Sequence, residues 1–223
     1  MQTSDIAQRP VVLFDFDGTV VDTQPAIIHV ARLVLEEHGI TNMSDADFLP
    51  MIGPPLEEGF ELISGLSKAE AHTLAVEYRE RFERDIAPRD ISLFPGMQTL
   101  LDSLRSQGRR LAIATSRYEY TALDILNAHA LTQFEAVCGR VDGIRNTKPA
   151  SIAAALEALH STSDEALMIG DRYHDVVGAR ACNMPCIGIY SGAAAAGELE
   201  AAGAYATVQN VHELSVLLGV ASA

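Results

Sequence analysis

Short apolar segments rich in β-branched residues alternate with helix-like segments along most of the chain. Strands are predicted over 11–16, 111–115, 134–138, 166–170 and 186–190. These runs are apolar on both faces, which is typical of parallel strands covered by helices on two sides. We therefore expect an α/β fold with a doubly wound parallel sheet. Polar residues tend to follow the strands, and a ligand site is expected there, beyond the carboxyl ends.

The segment 23–88 lacks the strand pattern and predicts helices only. Pro25 suits a first helical position, and the apolar stripe that follows it stops at Gly39. Ser67 and Glu70 form a capping-box pattern ahead of a long helix. We expect a small all-helical domain, 23–88, inserted into a core domain made of 1–22 and 89–223.

Composition and charge exclude several classes of partner. The net charge is −14 and the isoelectric point is about 4.8, so DNA, RNA and anionic membrane surfaces would be repelled. No apolar run approaches the roughly 20 residues that span a bilayer, and the first ten residues contain no apolar signal core. A cytoplasmic protein without nucleic-acid or membrane partners is expected, as either a monomer or a homodimer.

The three cysteines do not form a metal-binding or disulfide pattern. Cys138 is isolated, and Pro185 interrupts the short spacing between Cys182 and Cys186. We expect three buried thiols in a reducing compartment.

Two acidic clusters follow two of the predicted strands. Asp15 and Asp17 come directly after an apolar run, and alternation along an extended chain would point them to the same side. Asp171 and Asp175 follow another such run. Four carboxylates at neighbouring strand ends would repel one another unless a cation lies among them. A hard divalent ion with oxygen ligands, such as Mg²⁺, is the expected cofactor.

Taken together, these segments resemble the haloacid dehalogenase superfamily of phosphohydrolases, over essentially the whole chain. Four motifs occur in the family's order: Asp15-Phe16-Asp17-Gly18-Thr19, Thr115-Ser116, Lys148-Pro149, and Gly170-Asp171 through Asp175. The resemblance implies a Rossmann-like core with a helical cap domain inserted after the first strand. It also implies a magnesium-dependent phosphatase that acts on a small phosphorylated metabolite.

The resemblance further implies a role for each motif residue. Asp15 would attack phosphorus to form an aspartyl-phosphate, and Asp17 would protonate the leaving oxygen and then activate water. Asp15, the backbone carbonyl of Asp17 and Asp171 would bind the metal, while Asp175 would orient water or Lys148. Lys148 and Thr115 would contact the phosphoryl oxygens.

Further residues near the motifs are candidates for substrate binding. They are Thr19, Ser116 and Arg117 in the core and Gly53 in the helical segment. Gly53 lies in a stretch, 51–58, that is similar to the Gly-x-Pro-Leu loop of phosphoglycolate-phosphatase-like proteins. Arg172 and His174 also lie near a motif, but the sequence assigns them no role.

The resemblance favours a phosphoglycolate phosphatase-like activity and leaves alternatives within the family. These are a 5′-nucleotidase, a pyrophosphatase and a β-phosphoglucomutase-like mutase, although the basic loop expected of a sugar phosphomutase is absent. Asp17 argues against a dehalogenase. A phosphonatase would need a reactive lysine, for which Lys68 is the candidate, at an exposed-looking helix start. A receiver-like signalling domain is disfavoured by Asp17 and by the inserted segment.

Overall fold

The computed structural model describes residues 6–220 of the chain. The chain divides into two compact units, each with its own internal contacts. The core unit comprises Met1–Asp22 and Leu93–Ala223, and the helical unit comprises Thr23–Ser92. The predicted core ranges also include 1–5 and 221–223, which lie outside the described residues. The first half of the polar N-terminal segment, 1–10, lies outside them too.

The core unit is built on a six-stranded sheet in which each neighbouring pair of strands is parallel. Its strands are β1 (Val11–Phe14), β4 (Arg110–Tyr118), β5 (Ala136–Arg140), β6 (Ala166–Gly170), β7 (Cys186–Ile189) and β8 (Ala206–Val208). The strand order is β5-β4-β1-β6-β7-β8. The short strands β2 (Val21–Asp22) and β3 (Ser92–Leu93) lie at the two points where the chain passes between the units.

Strand β1 lies in the middle of the sheet, between β4 and β6. Its residues pair in register with both neighbours, so that Leu13 stands beside Ala112 and Met168. All four residues of β1 are buried. A strand covered on both faces needs apolar side chains at every position, which is the pattern that the sequence contains. The predicted α/β fold with a parallel sheet is confirmed.

Helices cover the sheet in the core unit. They are α5 (Met97–Ser106), α6 (Glu119–Ala128), α7 (Lys148–Ala158), α8 (Tyr173–Ala181), α9 (Glu198–Ala202) and α10 (Val211–Leu217). One buried cluster joins alternate residues of the strands, such as Leu13 and Met168, to Ile152 of α7 and Val176 of α8. Each such aliphatic side chain stabilises the fold by about 1.5 to 3 kcal/mol through burial.

The helical unit contains four α-helices among its described residues. They are α1 (Gln24–Glu37), α2 (Asp45–Phe48), α3 (Leu56–Ser64) and α4 (Lys68–Asp85), with single 3₁₀ turns at Leu49–Met51 and Pro88–Asp90. The predicted capping box is confirmed, because the Ser67 hydroxyl accepts from the Glu70 N–H and the Glu70 side chain accepts from the Ser67 N–H. Helix α4 therefore begins where the sequence indicated.

Some elements differ from the prediction. Strand β6 has the predicted bounds, whereas β5 begins two residues later and β4 extends to Tyr118. Strand β8, at the edge of the sheet, was not predicted. Of the three free thiols, Cys182 is half-buried rather than buried. Burial raises the pKa of all three thiols, which lowers their reactivity.

No helix within residues 6–220 is long and apolar enough to cross a bilayer.

Candidate active site

Several of the predicted site residues lie where strands β1, β4 and β6 end. Asp15 follows β1, Thr115 lies in the C-terminal half of β4, and Asp171 follows β6. These three strands are neighbours in the sheet, and the side chains of Asp15, Thr115 and Asp171 are all buried. The carboxyl ends of parallel strands meet at one edge, so the sheet brings distant parts of the sequence together there.

Lys148 lies between two of the carboxylates. Its Nζ is 2.7 Å from Asp15 Oδ1 and 2.7 Å from Asp175 Oδ1, and it donates to the Ala114 carbonyl at 3.2 Å. Only 7% of Lys148 is exposed. Helix α7 begins at this lysine, so the start of the helix fixes its position against β1 and β4.

Burial and mutual repulsion shift the pKa values of the carboxyl groups. Burial, followed by repulsion from Asp175, raises the pKa of Asp15 to about 7 although Lys148 opposes the shift. Burial, followed by Asp175 and Asp15, raises the pKa of Asp171 well above its usual range. Burial alone would lower the pKa of Lys148, but the two carboxylates outweigh it and the pKa is raised. The cluster therefore favours an additional cation.

The carboxylates fit a metal ion. One oxygen each from Asp15, Asp171 and Asp175 can be chosen so that all three lie within 4.8 Å of one another. Asp171 Oδ2 is buried and has no hydrogen-bond partner among residues 6–220, while Oδ1 accepts from the Thr19 hydroxyl at 3.1 Å. A buried carboxylate oxygen without a donor is costly, and oxygen ligands suit Mg²⁺. These residues could hold a hard divalent cation.

Two glycines pack closely against the Asp171 carboxylate. A Cβ atom added to Gly18 or Gly192 would collide with Asp171 Oδ2. The Gly18 carbonyl also accepts a hydrogen bond from the Ser191 hydroxyl at 2.6 Å, which ties the loop after β1 to the loop after β7. Because these two positions have no side chain, the backbone can pack closely against the buried, unpartnered oxygen.

Asp17 forms an ion pair with Arg117. Arg117 Nε lies 3.0 and 2.9 Å from the two carboxylate oxygens of Asp17, and Nη2 lies 2.8 Å from Oδ1. The Asp17 side chain is 22% exposed and the Arg117 side chain is 12% exposed. The predicted proton donor and a predicted substrate ligand thus contact each other. Whether Arg117 also binds substrate stays a prediction.

Two hydrogen bonds fix the position of Thr115. Its hydroxyl accepts from the Arg117 N–H at 3.2 Å, and its carbonyl accepts from the Ser151 hydroxyl at 3.0 Å. The neighbouring Ser116 is exposed. Of the two hydroxyl residues in this motif, Thr115 is the one that lies buried beside the acidic cluster.

The remaining candidates have different surroundings. Thr19 is fully buried and donates to Asp171, so its observed contact is with a carboxylate. Gly53 lies in the helical unit with a φ of 109°, a conformation that favours glycine. Arg172 pairs with Glu198 at 2.9 Å, and the same Glu198 oxygen accepts from the Tyr173 N–H at 3.0 Å. The substrate-binding roles of Thr19, Ser116 and Gly53 stay predictions.

Sequence reasoning missed Ser151, Ser191, Gly192 and Glu198. Two of them had a signal. Ser191 and Gly192 follow strand β7, and polar or glycine residues after a parallel strand are candidates by the same rule that found Asp15 and Asp171. Ser151 is one helical turn after Lys148, so it lies on the same face of α7. Glu198 had no local signal.

The parallel sheet and the buried cluster of carboxylates, lysine and threonine at its edge define an α/β enzyme of the phosphatase type. The sequence model of the haloacid dehalogenase-like hydrolase family matches residues 12–189 of this chain. The chain belongs to this family.

Similar proteins share most of the chain. A 5′-nucleotidase from Pseudomonas aeruginosa is 35% identical over 200 residues, which are 88% of this chain and 90% of that protein. The tyrosine-protein kinase PtkA of Mycobacterium tuberculosis is 37% identical over 174 residues, or 77% of this chain, and the match spans 58% of that longer protein. A solved structure described as a predicted phosphatase from Clostridium acetobutylicum is 34% identical, with a TM-score of 0.84, over 92% of this chain and 96% of that one.

Proposed function

We propose that this chain is a magnesium-dependent phosphomonoester hydrolase that acts on a small phosphorylated metabolite through an aspartyl-phosphate on Asp15. The observation that carries the proposal is the buried cluster in which Lys148 Nζ lies 2.7 Å from both Asp15 and Asp175, next to the unpartnered oxygen of Asp171. Burial of four ionisable side chains, Asp15, Lys148, Asp171 and Asp175, is costly. This cost supports a functional role for the cluster.

In the first step, a carboxylate oxygen of Asp15 attacks the phosphorus of the substrate. The bond between phosphorus and the ester oxygen breaks, and its electron pair leaves with that oxygen. Asp17 acts as the acid in this step: its protonated form, which replaces the ion pair with Arg117, transfers the proton to the leaving oxygen, so the product is a neutral alcohol. The phosphoryl group is then bonded to Asp15.

In the second step, water attacks the phosphorus of the aspartyl-phosphate. The carboxylate of Asp17 accepts a proton from this water, and the bond between phosphorus and Asp15 breaks. Inorganic phosphate leaves, Asp15 is again a carboxylate, and Asp17 again carries a proton. One water molecule is consumed in each cycle.

Lys148 and Thr115 stabilise charge during both steps. The ammonium group of Lys148 neutralises Asp15 and can donate to a phosphoryl oxygen, and the Thr115 hydroxyl can donate to another. Donors that are already fixed in position need no reorganisation during the reaction. Loss of one such donor typically costs about 3 to 4 kcal/mol of transition-state stabilisation.

Asp15, the carbonyl of Asp17 and Asp171 would hold the metal, with Asp175 oriented toward Lys148. When bound, Mg²⁺ would supply positive charge against the phosphoryl oxygens and help to align the phosphate with Asp15. The fit rests on the buried oxygens described above and on the preference of Mg²⁺ for oxygen ligands.

Phosphoglycolate is the first candidate substrate, because the stretch 51–58 is similar to the Gly-x-Pro-Leu loop of phosphoglycolate-phosphatase-like proteins. Nucleoside 5′-monophosphates are the second. The relative named 5′-nucleotidase supports them, since the match covers 90% of that protein. Pyrophosphate and sugar phosphates are the remaining alternatives within the family.

The test is phosphate release from phosphoglycolate, nucleoside 5′-monophosphates, pyrophosphate and hexose phosphates, each with Mg²⁺ and with EDTA. Asp15→Asn is the matched variant, because it removes the nucleophilic charge and keeps the shape of the side chain. We expect Mg²⁺-dependent release by the wild type and none above background by folded Asp15→Asn. Release by Asp15→Asn, or release that EDTA does not affect, would contradict the proposal.

The ratio of kcat/KM values across the panel identifies the substrate. A preference of several orders of magnitude for phosphoglycolate would favour the first candidate, and the same preference for a nucleoside monophosphate would favour the second. Interconversion of sugar phosphates without net release would instead indicate a mutase.

A further inference from the structure

Helix α7 donates side-chain hydrogen bonds to two consecutive carbonyls of strand β4. Lys148 Nζ donates to the Ala114 carbonyl at 3.2 Å, and the Ser151 hydroxyl donates to the Thr115 carbonyl at 3.0 Å. Among the buried residues of α7, Lys148 and Ser151 are the polar ones. Both buried polar side chains of this helix therefore contact the C-terminal half of β4.

Thr115 lies where the regular pairing of β4 is interrupted. The pairing of β4 with β1 ends at Ile113, and its pairing with β5 shifts register between Ala114 and Tyr118. A bulge of this kind locally disrupts the ladder of backbone hydrogen bonds. The Thr115 backbone therefore needs an anchor from outside the sheet, and the hydroxyl of Ser151 supplies one.

The hydroxyl of Ser151 is an exception in its helix. Five of the eleven residues of α7 are alanine, which has a higher helix propensity than serine. Ser151 is only 1% exposed, and its N–H already donates to the Thr147 carbonyl within the helix. Alanine would therefore fit at this position and favour the helix. The hydrogen bond to Thr115 is the contact that alanine could not make.

The hydroxyl of Thr115 is fixed at a second point. It accepts from the Arg117 N–H at 3.2 Å. A hydroxyl whose oxygen accepts in this way keeps its own proton for donation to another group. Because Thr115 is β-branched, a fixed backbone also restricts its side-chain rotation. The anchor at Ser151 therefore determines where the Thr115 hydroxyl can donate.

We infer that Ser151 is a positioning residue that holds the Thr115 hydroxyl in place for donation to a phosphoryl oxygen. The inference rests on the proposed function, in which Thr115 contacts the phosphoryl group. Ser151 itself acts only through Thr115. A donor that is fixed before substrate binds needs no reorganisation, whereas a displacement of about 1 Å can lower the rate about 10²-fold.

The first test is the kcat/KM of three variants for the substrate that the wild type hydrolyses best. Ser151→Ala should lower it roughly 10- to 10²-fold. Thr115→Val removes the donor itself and should lower it roughly 10²- to 10³-fold. Ser215→Ala is the matched control, because the Ser215 hydroxyl donates to the Val211 carbonyl of its own helix at 2.8 Å. It should change kcat/KM less than about twofold.

A double-mutant cycle separates positioning from a general structural role. Because Ser151 acts through the Thr115 hydroxyl in this inference, adding Ser151→Ala to Thr115→Val should change kcat/KM less than about twofold. The carbonyl at position 115 loses its donor in both backgrounds, so Ser151→Ala should lower the Tm by similar amounts in both. A structural defect would instead lower activity in both backgrounds together with the Tm.

The conservative variant Ser151→Thr keeps the hydroxyl and should restore kcat/KM to within about threefold of the wild type. If its extra methyl group prevents folding, the double-mutant cycle decides. If Ser151→Ala does not fold, Ser151→Cys replaces it, since a thiol is a weak donor of similar size. Circular dichroism verifies the fold of each variant.

Three results would overturn the inference. The first is wild-type kcat/KM in folded Ser151→Ala. The second is an undiminished effect of Ser151→Ala in the Thr115→Val background. The third is a folded Ser151→Thr that is as impaired as Ser151→Ala, because the hydroxyl would then not be the group that matters.

Failure of the proposed function gives different results. A wild type that releases no phosphate from any ester would overturn the proposed function itself, and this is seen before any variant is measured. Unchanged activity of Thr115→Val would remove the role of Thr115, and the inference about Ser151 with it.

Discussion

Asp171 is positioned by residues from distant parts of the sequence. Thr19 donates to one of its oxygens, while Gly18 and Gly192, which have no side chain, pack closely against the other. The sequence predicted Asp171 itself, because an acidic residue after an apolar strand is a local pattern. It did not predict Gly192, since a glycine after a strand has several explanations and only the three-dimensional contact distinguishes among them.

Gly18→Ala should impair the site more than the fold. Gly18 has a φ of 75°, and Gly108, where an added Cβ would meet nothing within 4 Å, has a φ of 79°. Both substitutions to alanine should therefore cost about 1 to 2 kcal/mol of stability from backbone conformation. Only Gly18→Ala should also displace Asp171, which should lower kcat/KM roughly 10²-fold. Urea unfolding and phosphatase assays on both variants measure the two effects; equal activities would contradict the expectation.

The stability of the metal-free protein should depend on the protonation of Asp15. Its pKa is raised from 3.8 to about 7 in the folded state, chiefly by burial. A raised pKa means that the protonated form stabilises the fold, so this contribution is present at low pH and is lost as the pH rises through about 7. We expect the unfolding free energy of the wild type, relative to Asp15→Asn, to fall as the pH rises from 3.8 to about 7, the ordinary and the raised pKa of Asp15.

Urea unfolding in EDTA at several pH values measures this difference. Asp15→Asn is the control because it lacks the titrating group and retains the other ionisable groups. A difference between the two proteins that stays constant, or that grows in favour of the wild type with rising pH, would contradict the expected sign.

At the scale of single elements, the helix and strand boundaries that depend on nearby residues were predicted correctly. The bounds of β6 and the start of α4 were correct, because a continuous apolar run and a capping box are local signals. Strand β8 has only three residues, too few for a recognisable period. Strand β4 contains a bulge, because Ala114 pairs with Cys138 and Tyr118 pairs with Arg140. This bulge was not predicted, since it depends on the close approach of Gly139 in the neighbouring strand.

The N-terminal cap of helix α7 lies immediately before Lys148. The hydroxyl of Thr147 accepts from the Ala150 N–H at 3.3 Å, and so caps the helix immediately before Lys148. Thr147→Ala should lower the unfolding free energy by about 1 kcal/mol, and Thr147→Ser, which keeps a hydroxyl, should restore most of it. Urea unfolding of the three proteins tests this. An equal loss in Thr147→Ser would show that the methyl group, not the cap, is responsible.

At the scale of the whole molecule, the sequence predicted the sheet and the residues that meet at its edge. Parallel strands place their carboxyl ends together, so Asp15 and Asp171 could be grouped without knowing the strand order, whereas Thr115 was predicted from the family resemblance. The order of the six strands and the pairing of Asp17 with Arg117 could not be predicted, because both depend on contacts between segments that are far apart in sequence.

Binding of Mg²⁺ should stabilise the whole protein. A ligand that binds only the folded state adds about 2.7 kcal/mol at 100 times its Kd. We expect Mg²⁺ to raise the Tm of the wild type but not that of Asp171→Asn, which lacks one of the buried carboxylates. Asp164→Asn, at an exposed position, is the control and should behave as the wild type does. Thermal unfolding with Mg²⁺ and with EDTA measures these shifts, and an equal rise for Asp171→Asn would contradict a metal site at Asp171.

The burial of Lys148 also determines how the protein reacts with amine-specific reagents. The chain has two lysines: Lys148 is enclosed by Asp15 and Asp175, whereas Lys68 is exposed at the start of α4. Acylating reagents need an accessible, uncharged amine, and the raised pKa of Lys148 keeps its amine charged. Among the lysine side chains, a dye or surface linker would therefore attach at Lys68 in the helical unit. Acylation of lysine side chains would thus modify the helical unit and leave Lys148 and the buried carboxylates unmodified.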